Sequence, residues 1–414
     1  MKQKMKKAGQ AGRWGALLLM GLGACEVLIM ISPFASFFYG GIHFEPFLGF
    51  LSHRWLTAWL DGFFLNHSAV TTSRILEGQR LVGRYLFSLG LWGFLISAVQ
   101  VYSKKILRRG VATGLLYRVT RHPQYLSLGV AGLGLLTIWP RFLLLGLWVS
   151  MFFLYAGLAR FEEGRMAARF GERYRTYAGG RVAFLPGNPA GRFFAWSFAR
   201  LRPRPLGWLA AYAASLLAVF SLAGGLRVYT RGHTVISKRP EAGMMVVSAW
   251  PQPPEWVDRV MDTALEDQEV RRLLPEAGPA PLVATILPPR YVMKGMYYVM
   301  PPAGQAGPPP GIAATLKRLG RLALMFLLPV DGVTRPADFM GVDPDTAAGT
   351  VEVVFSRAEK PYTRTLGLDD ALDPSVRLTP LVVADLLSTG DQVSGVRVPL
   401  PRNRWGARVV MPVF

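Results

Sequence analysis

Cysteine is nearly missing from this chain: Cys25 is the only one in 414 residues. That excludes an internal disulfide framework and any zinc site built on thiolates. Charge is scarce as well. Asp, Glu, Lys and Arg together make up 18% of the residues, below the level of ordinary soluble domains. Histidine occurs five times, and none follows His233. What is abundant is apolar: 51% of residues are hydrophobic and the mean hydropathy is +0.27. Such a chain is not wholly disordered, and the balance argues against an ordinary soluble enzyme. Its length suggests more than one domain.

The formal charge of +21 invites a nucleic-acid reading, but its distribution argues otherwise. Residues 1–240 hold 30 basic and 7 acidic residues, whereas residues 241–414 hold 17 and 19. The basic character therefore belongs to the apolar half. A half that is both basic and apolar reads as membrane-embedded, with Lys and Arg in the connecting loops. The other half reads as a water-soluble domain, and a nucleic-acid role is set aside.

Five apolar runs are visible, at residues 14–31, 85–101, 126–139, 142–159 and 206–222. Roughly 20 apolar residues cross a bilayer, with about 17 at the lower end. Pro140-Arg141 interrupts the third and fourth runs, which predicts a tight helical hairpin. The start, MKQKMKK followed by Arg13, has the pattern of a signal peptide. Its apolar run is long and no convincing cleavage site follows, so the expectation is an uncleaved first span. Glu26 lies near the middle of that run, where a carboxylate costs ~3 kcal/mol on insertion scales. Three segments are strongly basic: 1–13 (+5), 102–123 (+6) and 160–206 (+7). Five spans place all three on one face, expected to be cytoplasmic, and send the C-terminal half to the opposite side. Arg227, Arg231, Lys238 and Arg239, just after the fifth run, count against that orientation. Residues 34–66 are aromatic-rich and leave room for an interfacial or re-entrant helix.

Polar chemistry concentrates at two membrane borders. Residues 113–129 read TGLLYRVTRHPQYLSLG, and residues 159–186 read ARFEEGRMAARFGERYRTYAGGRVAFLP. The expected hairpin returns both to the same face. Arg121-His122-Pro123 would open a helix, where orphan amides and the positive dipole end favour a carboxylate or phosphate. Pro123 suits the first turn. Glu162 and Glu163 would either bind ribose hydroxyls or a cationic amine, or merely solvate a helix end. Met166, Phe170, Tyr174 and Tyr177 share one helical face, beside a stripe of Arg165, Arg169 and Arg173. This spacing predicts one helix over 161–177 lying along the membrane surface. Tyr174 and Tyr177 would also suit an interfacial aromatic belt. The spacing of His43, His53 and His67 matches no metal-ligand pattern, and no metal site is expected.

Tyr117 followed by Arg121-His122-Pro123-x-Tyr125 resembles the Y-x-x-x-R-H-P-x-Y signature of the isoprenylcysteine carboxyl methyltransferase and phospholipid methyltransferase superfamily. Glu162-Glu163-x-x-Met166-x-x-x-Phe170-Gly171-x-x-Tyr174-x-x-Tyr177 resembles that family's second motif. Val182 and Phe184-Leu185-Pro186 are similar to its closing V-x-F-x-P, although Ala183 stands where the family often has a proline. The resemblance covers about residues 80–190. It implies a membrane-embedded methyltransferase using S-adenosylmethionine on a lipid or lipid-linked acceptor. Arg121, His122 and Glu162 would then be catalytic. Tyr117, His122, Pro123, Tyr125, Glu162, Glu163, Tyr174 and Tyr177 would form the cofactor site. Two other classes stay open. One is a non-catalytic membrane anchor for a soluble interaction domain. The other is an NADPH-dependent membrane reductase of the steroid-reductase type, against which the RHPQY and EE motifs count.

In the second half there is no Gly-rich phosphate loop, nucleophile elbow or zinc-ligand spacing. Apolar periodicity predicts a helix over 255–274. Strands are predicted at 282–287, 291–300, 322–329, 350–355 and 408–413. The Pro/Gly-rich stretch 301–311 reads as a loop, and Asp369, Asp370 and Asp373 as turn residues. The expected fold is an α-helical polytopic membrane domain of about five spans followed by a soluble α+β domain. Its parts would be 1–80 (first span and aromatic segment), 81–190 (methyltransferase-like core), 191–240 (fifth span and linker) and 241–414, which has room for a protein partner. The expected location is a bacterial cytoplasmic membrane.

Overall fold

A computed structural model of the protein describes residues 54, 56–66, 69–107, 112–185, 188–249, 251–274, 280–287, 350–359 and 366–398. The first apolar run with Cys25 and Glu26, the histidines at 43, 53 and 67, and most of the 34–66 aromatic segment lie outside these residues. So do the strands expected at 291–300, 322–329 and 408–413, and the 301–311 loop. The chain forms two compact units. One takes Arg80–Ile138 and Leu144–Leu222; the other takes the described residues up to Gln79, Trp139–Leu143, and those from Ala223 onward.

The first unit is helical. It is built from α1 (Arg74–Ile106), α2 (Pro123–Ile138), α3 (Phe142–Phe170), α4 (Glu172–Gly179), α5 (Pro189–Ser197) and α6 (Arg204–His233), of which the start of α1, the first residues of α3 and the end of α6 from Ala223 belong to the second unit. Three of these, α1, α3 and α6, are long and apolar enough to cross a membrane. Helix α2 has 16 residues, just under the lower limit of about 17 for a span. Three span-length helices are therefore seen among the described residues, where five spans were expected. Helix α2 starts at Pro123, whose missing amide hydrogen costs nothing in the first turn. It ends before Pro140, so the predicted hairpin forms there.

Consecutive long helices pack antiparallel. Helices α1 and α2 approach through glycine: a Cβ on Gly90 would collide with the Ala131 amide nitrogen, and one on Gly134 with that of Phe87. Small residues of this kind let backbones meet in a membrane, where apolar burial between helices gives little drive. Between α2 and α3, the Trp148 indole donates to the Gly129 carbonyl at 2.9 Å. Between α3 and α6, the Ser150 and Tyr212 hydroxyls are 2.7 Å apart. Phe153 meets Trp208 and Tyr212 edge-on. This alternation brings the end of α1, the start of α2, the end of α3 and the start of α6 to one end of the bundle.

Two helix boundaries differ from expectation. The surface helix over 161–177 is not continuous: α3 runs to Phe170, Gly171 takes φ 56°, and α4 starts a new direction. Glycine adopts that left-handed value without a Cβ clash, so the apolar periodicity across it is accidental. Helix α6 extends to His233 rather than stopping at 222, so much of the stretch read as a linker is helix.

The second unit holds a six-stranded sheet in the order β1 (Ile236–Arg239), β2 (Met244–Ser248), β3 (Leu282–Leu287), β4 (Thr350–Glu359), β5 (Arg377–Leu387) and β6 (Val393–Arg397). Strands β2 and β3 are parallel, joined through α7 (Pro254–Glu266) and α8 (Gln268–Leu273); the other pairs are antiparallel. A parallel pair needs such a crossover. The single helix expected over 255–274 breaks at Asp267, whose carboxylate accepts the amides of Glu269 and Val270 and caps α8,. Strand alternation sorts the core. Met244, Val246, Leu282, Ala284 and Ile286 pack with Val260, Met261 and Ala264 of α7. Met245, Val247 and Val283 face the opposite core, which includes Ala69, Ala371 and Leu372. Burial on both faces fits a strand pattern without polar alternation. Pro380 of β5 sits beside a register shift at Phe355/Ser356, where a missing amide donor is tolerated,.

This core reaches outside 241–414. Val70 donates to Ser248 and accepts from Val235, both at 2.9 Å. The Arg227 guanidinium donates to the carbonyls of Phe63 and Leu372. Phe63 bridges Arg141 antiparallel, and the Arg141 guanidinium lies 5.0 Å from the Phe63 ring centroid. Asp369 and Asp370 occupy a 3₁₀ turn, as turn residues should.

Candidate functional site

The two polar motifs meet at the end of the helical unit where α1 and α3 finish and α2 and α6 begin. Their backbones join first. Thr120 and Val182 form a parallel bridge; Arg121 N donates to Val182 O at 2.9 Å, and His122 N to Ala183 O at 3.1 Å. The Thr120 hydroxyl adds a bond to Ala183 O at 2.6 Å. The closing V-x-F segment is thus laid alongside R-H, which fixes the His122 side chain at the mouth of α2.

That imidazole sits between two carboxylates. His122 Nε2 is 2.9 Å from Glu163 Oε1, and Nδ1 is 3.6 Å from Glu162 Oε2. Arg121 Nε is 3.1 Å from the same Glu163 oxygen. The Tyr125 hydroxyl donates to Glu162 Oε1 at 2.6 Å. Adjacent residues on a helix point about 100° apart, so each carboxylate takes a different share of the RHPxY segment. Exposure separates their roles: the side chains of His122, Glu163 and Glu162 are 6%, 24% and 41% exposed. Glu163 is consumed by Arg121 and His122. Glu162 keeps oxygen lone pairs free for a ligand.

A row of rings lines the same place. His122 stacks on Tyr125 with centroids 5.6 Å apart, and Tyr125 stacks on Tyr155 at 4.7 Å. Phe184 lies 5.8 Å from His122. Sequence reasoning missed Tyr155. It stands seven residues before Glu162, two helical turns along the same face of α3, and that spacing was the available signal. Arg160 was missed too; its guanidinium lies 4.1 Å from the Trp208 ring centroid.

The remaining expected residues brace the site. Pro123 opens α2 and is buried. Buried Tyr117, on the 3₁₀ turn Leu115–Arg118, donates to Gln124 Oε1 at 2.7 Å. Tyr117 also accepts the Tyr177 hydroxyl on its carbonyl at 2.9 Å. Arg181 covers the Tyr177 ring at 4.5 Å. Tyr174 is buried on α4, with its ring 6.0 Å from that of Tyr177. Burial pushes the Tyr174 phenol up to about 12, with the Glu163 charge adding to it. Burial raises Tyr117 as well, helped by Tyr177 and Glu162. It also raises Tyr177, against the opposing pull of Arg181 and Arg121. All three phenols therefore stay protonated near neutrality.

Chemically, the arrangement offers a partly exposed carboxylate, a guanidinium and an imidazole beside a stack of rings. Among the described residues no group of three or more His, Cys, Asp or Glu is arranged to hold a metal. No protein-family model, curated protein or solved structure matches the chain.

Proposed function

We propose that the chain is an integral-membrane methyltransferase that moves a methyl group from S-adenosylmethionine to a lipid or lipid-linked acceptor. The observation that carries this reading is the pairing of Glu162 with Tyr125 and of Glu163 with His122 and Arg121. It joins the two family-like motifs residue by residue across the α2–α3 hairpin. Three long apolar helices support a membrane setting.

The residues present suit such a cofactor. Glu162 has acceptor capacity for ribose hydroxyls or an ammonium group. Arg121 offers a guanidinium to a carboxylate. The stacked His122–Tyr125–Tyr155 row backs these groups with packed rings. When bound, the cofactor supplies a methyl group on a positively charged sulfur, an activated leaving group in itself. The chain's part is alignment and exclusion of water. Tyr117, Tyr177 and the Thr120–Val182 bridge hold the walls in place. With an amine acceptor, Glu162 Oε2 takes the proton, beside His122 Nδ1; a carboxylate acceptor needs no base. The basic segments 102–123 and 160–206 orient this end of the bundle to the cytoplasm of a bacterial cell. The C-terminal half then lies on the opposite side, free to meet a partner.

Calorimetric titration of S-adenosylhomocysteine into the detergent-purified protein tests the reading. Saturable binding is expected, weakened at least about tenfold by His122→Ala or Glu162→Ala, the loss of one charge-assisted contact. Absence of binding in folded, lipid-supplemented protein would remove the methyltransferase reading and leave the membrane anchor and the reductase.

A further inference from the structure

Helix α5 is exposed in a way that the methyl-transfer reading does not use. Its inward side is closed: the Phe194 ring lies 5.0 Å from Trp208 at the start of α6, and Phe198 lies 6.1 Å from Phe194. Its outward side carries Phe193 and Trp196, 59% and 78% exposed, with ring centroids 6.1 Å apart. Two large aromatic rings side by side on a nine-residue helix are not ordinary water-facing surface,. The charge around them has one sign. Arg192, Arg200, Arg202 and Arg204 are exposed, and from residue 173 to residue 240 the sequence contains no Asp or Glu. Helix α5 leads within seven residues into α6, one of the span-length helices, so it stands at that helix's membrane border.

The geometry points to α5 as an in-plane docking helix for the anionic headgroup layer of the lipid bilayer. Trp and Phe suit the boundary between headgroups and acyl chains. Arginines flanking them draw anionic lipid, and no carboxylate in this stretch opposes that attraction. A neutral lipid surface would leave the four arginines without counter-charge, and a basic partner is excluded by repulsion. The contact of Phe194 with Trp208, over which Arg160 lies, ties α5 to the end of α3 that carries Glu162 and Glu163. The inference does not depend on what reaction that site performs.

The test uses the full chain with Cys25→Ala and Ala195→Cys, which keeps Phe193 and Trp196. An environment-sensitive fluorophore is attached to the thiol introduced at position 195, and the protein is reconstituted in vesicles of phosphatidylcholine alone or mixed with phosphatidylglycerol. The expected result is a blue-shifted emission, quenched by spin-labelled lipid, in the phosphatidylglycerol vesicles. The shift is expected to shrink in high salt and in pure phosphatidylcholine. Arg192→Glu with Arg200→Glu is expected to abolish the difference between the two lipids, and Phe193→Ser with Trp196→Ser to abolish the shift itself. An unchanged melting curve certifies that each variant is folded. Equal shifts in both vesicles, or none in either, would overturn the proposal. Cross-linking through position 195 to a second copy in place of the lipid response would overturn it in favour of self-association.

Discussion

The chemistry of the candidate site turns on how few groups are left free to act. His122 has both ring nitrogens facing carboxylates, and Glu163 is shared by two cations. Three nearby phenols are protonated and braced. Their raised affinity for protons has a consequence with a definite sign. A folded state that holds a phenol proton more tightly than the unfolded chain gains stability that is complete below the ordinary tyrosine range. That stability drains away as pH climbs from about 10, the unfolded value, toward the folded one. For Tyr174 the window closes at about 12. Spectrophotometric titration of tyrosinate should therefore show a late-ionising phenol that vanishes in Tyr174→Phe. A variant curve superimposable on the wild type would mean that Tyr174 titrates elsewhere in the profile. Much of this site was readable from residues alone. RHPxY and EE named the partners, and Pro123 marked the start of α2. Tyr155 was missed despite its spacing from Glu162, because a tyrosine in an apolar run looks like a lipid-facing ring until its stacking partner is known. Nor was the Thr120–Val182 bridge, since single backbone pairings leave no side-chain signature.

At the level of elements, the α1–α2 contact depends on surfaces with no side chains. Gly90 and Gly134 let α1 and α2 touch through their backbones, whereas Gly157 of α3 has open space around its missing Cβ. Gly90→Val is expected to force the helices apart, at a cost of about 1–3 kcal/mol for overpacking. Gly157→Ala is expected to be neutral or to stabilise by up to about 1 kcal/mol, through helix propensity. Thermal melts in one fixed detergent compare the pair; equal melting temperatures would show that the α1–α2 contact is not tight. The strongly patterned elements were legible in advance. Pro140 ended α2, and the apolar run at Leu282–Leu287 is β3. Two kinds of feature escaped. Periodicity ran on through Gly171 and Asp267 although backbone geometry stopped the helix at each. Strands β1, β2, β5 and β6 escaped because strand identity rests on neighbours: β1 is a short edge, and β5 contains Pro380, which reads as a strand breaker until the bulge beside it is seen.

At the scale of the molecule, the division at residue 240 suggested by charge is cleaner than the folded arrangement. The sheet-bearing unit collects residues from three stretches of chain, and the Arg227 guanidinium binds two of them through the carbonyls of Phe63 and Leu372. Replacing it by leucine would leave both carbonyls buried without that donor, at about 1–3 kcal/mol each. Arg227→Leu is therefore expected to speed hydrogen exchange at residues 63–72 and around Leu372 together. Acceleration confined to one of the two would show that the arginine does not couple them.

That clasp also sets an order of events during synthesis. Phe63 leaves the ribosome 164 residues before Arg227, and Leu372 follows 145 residues after it. Through that interval the early segment, with Ala69 destined for the sheet's core, has neither its donor nor its strands. The nascent chain must therefore carry an unfinished apolar stretch until the later strands of the sheet have been made. Any pause between the α6 codons and those of β5 prolongs that exposure, which makes the stretch of message encoding the sheet the point at which assembly of the early segment is decided.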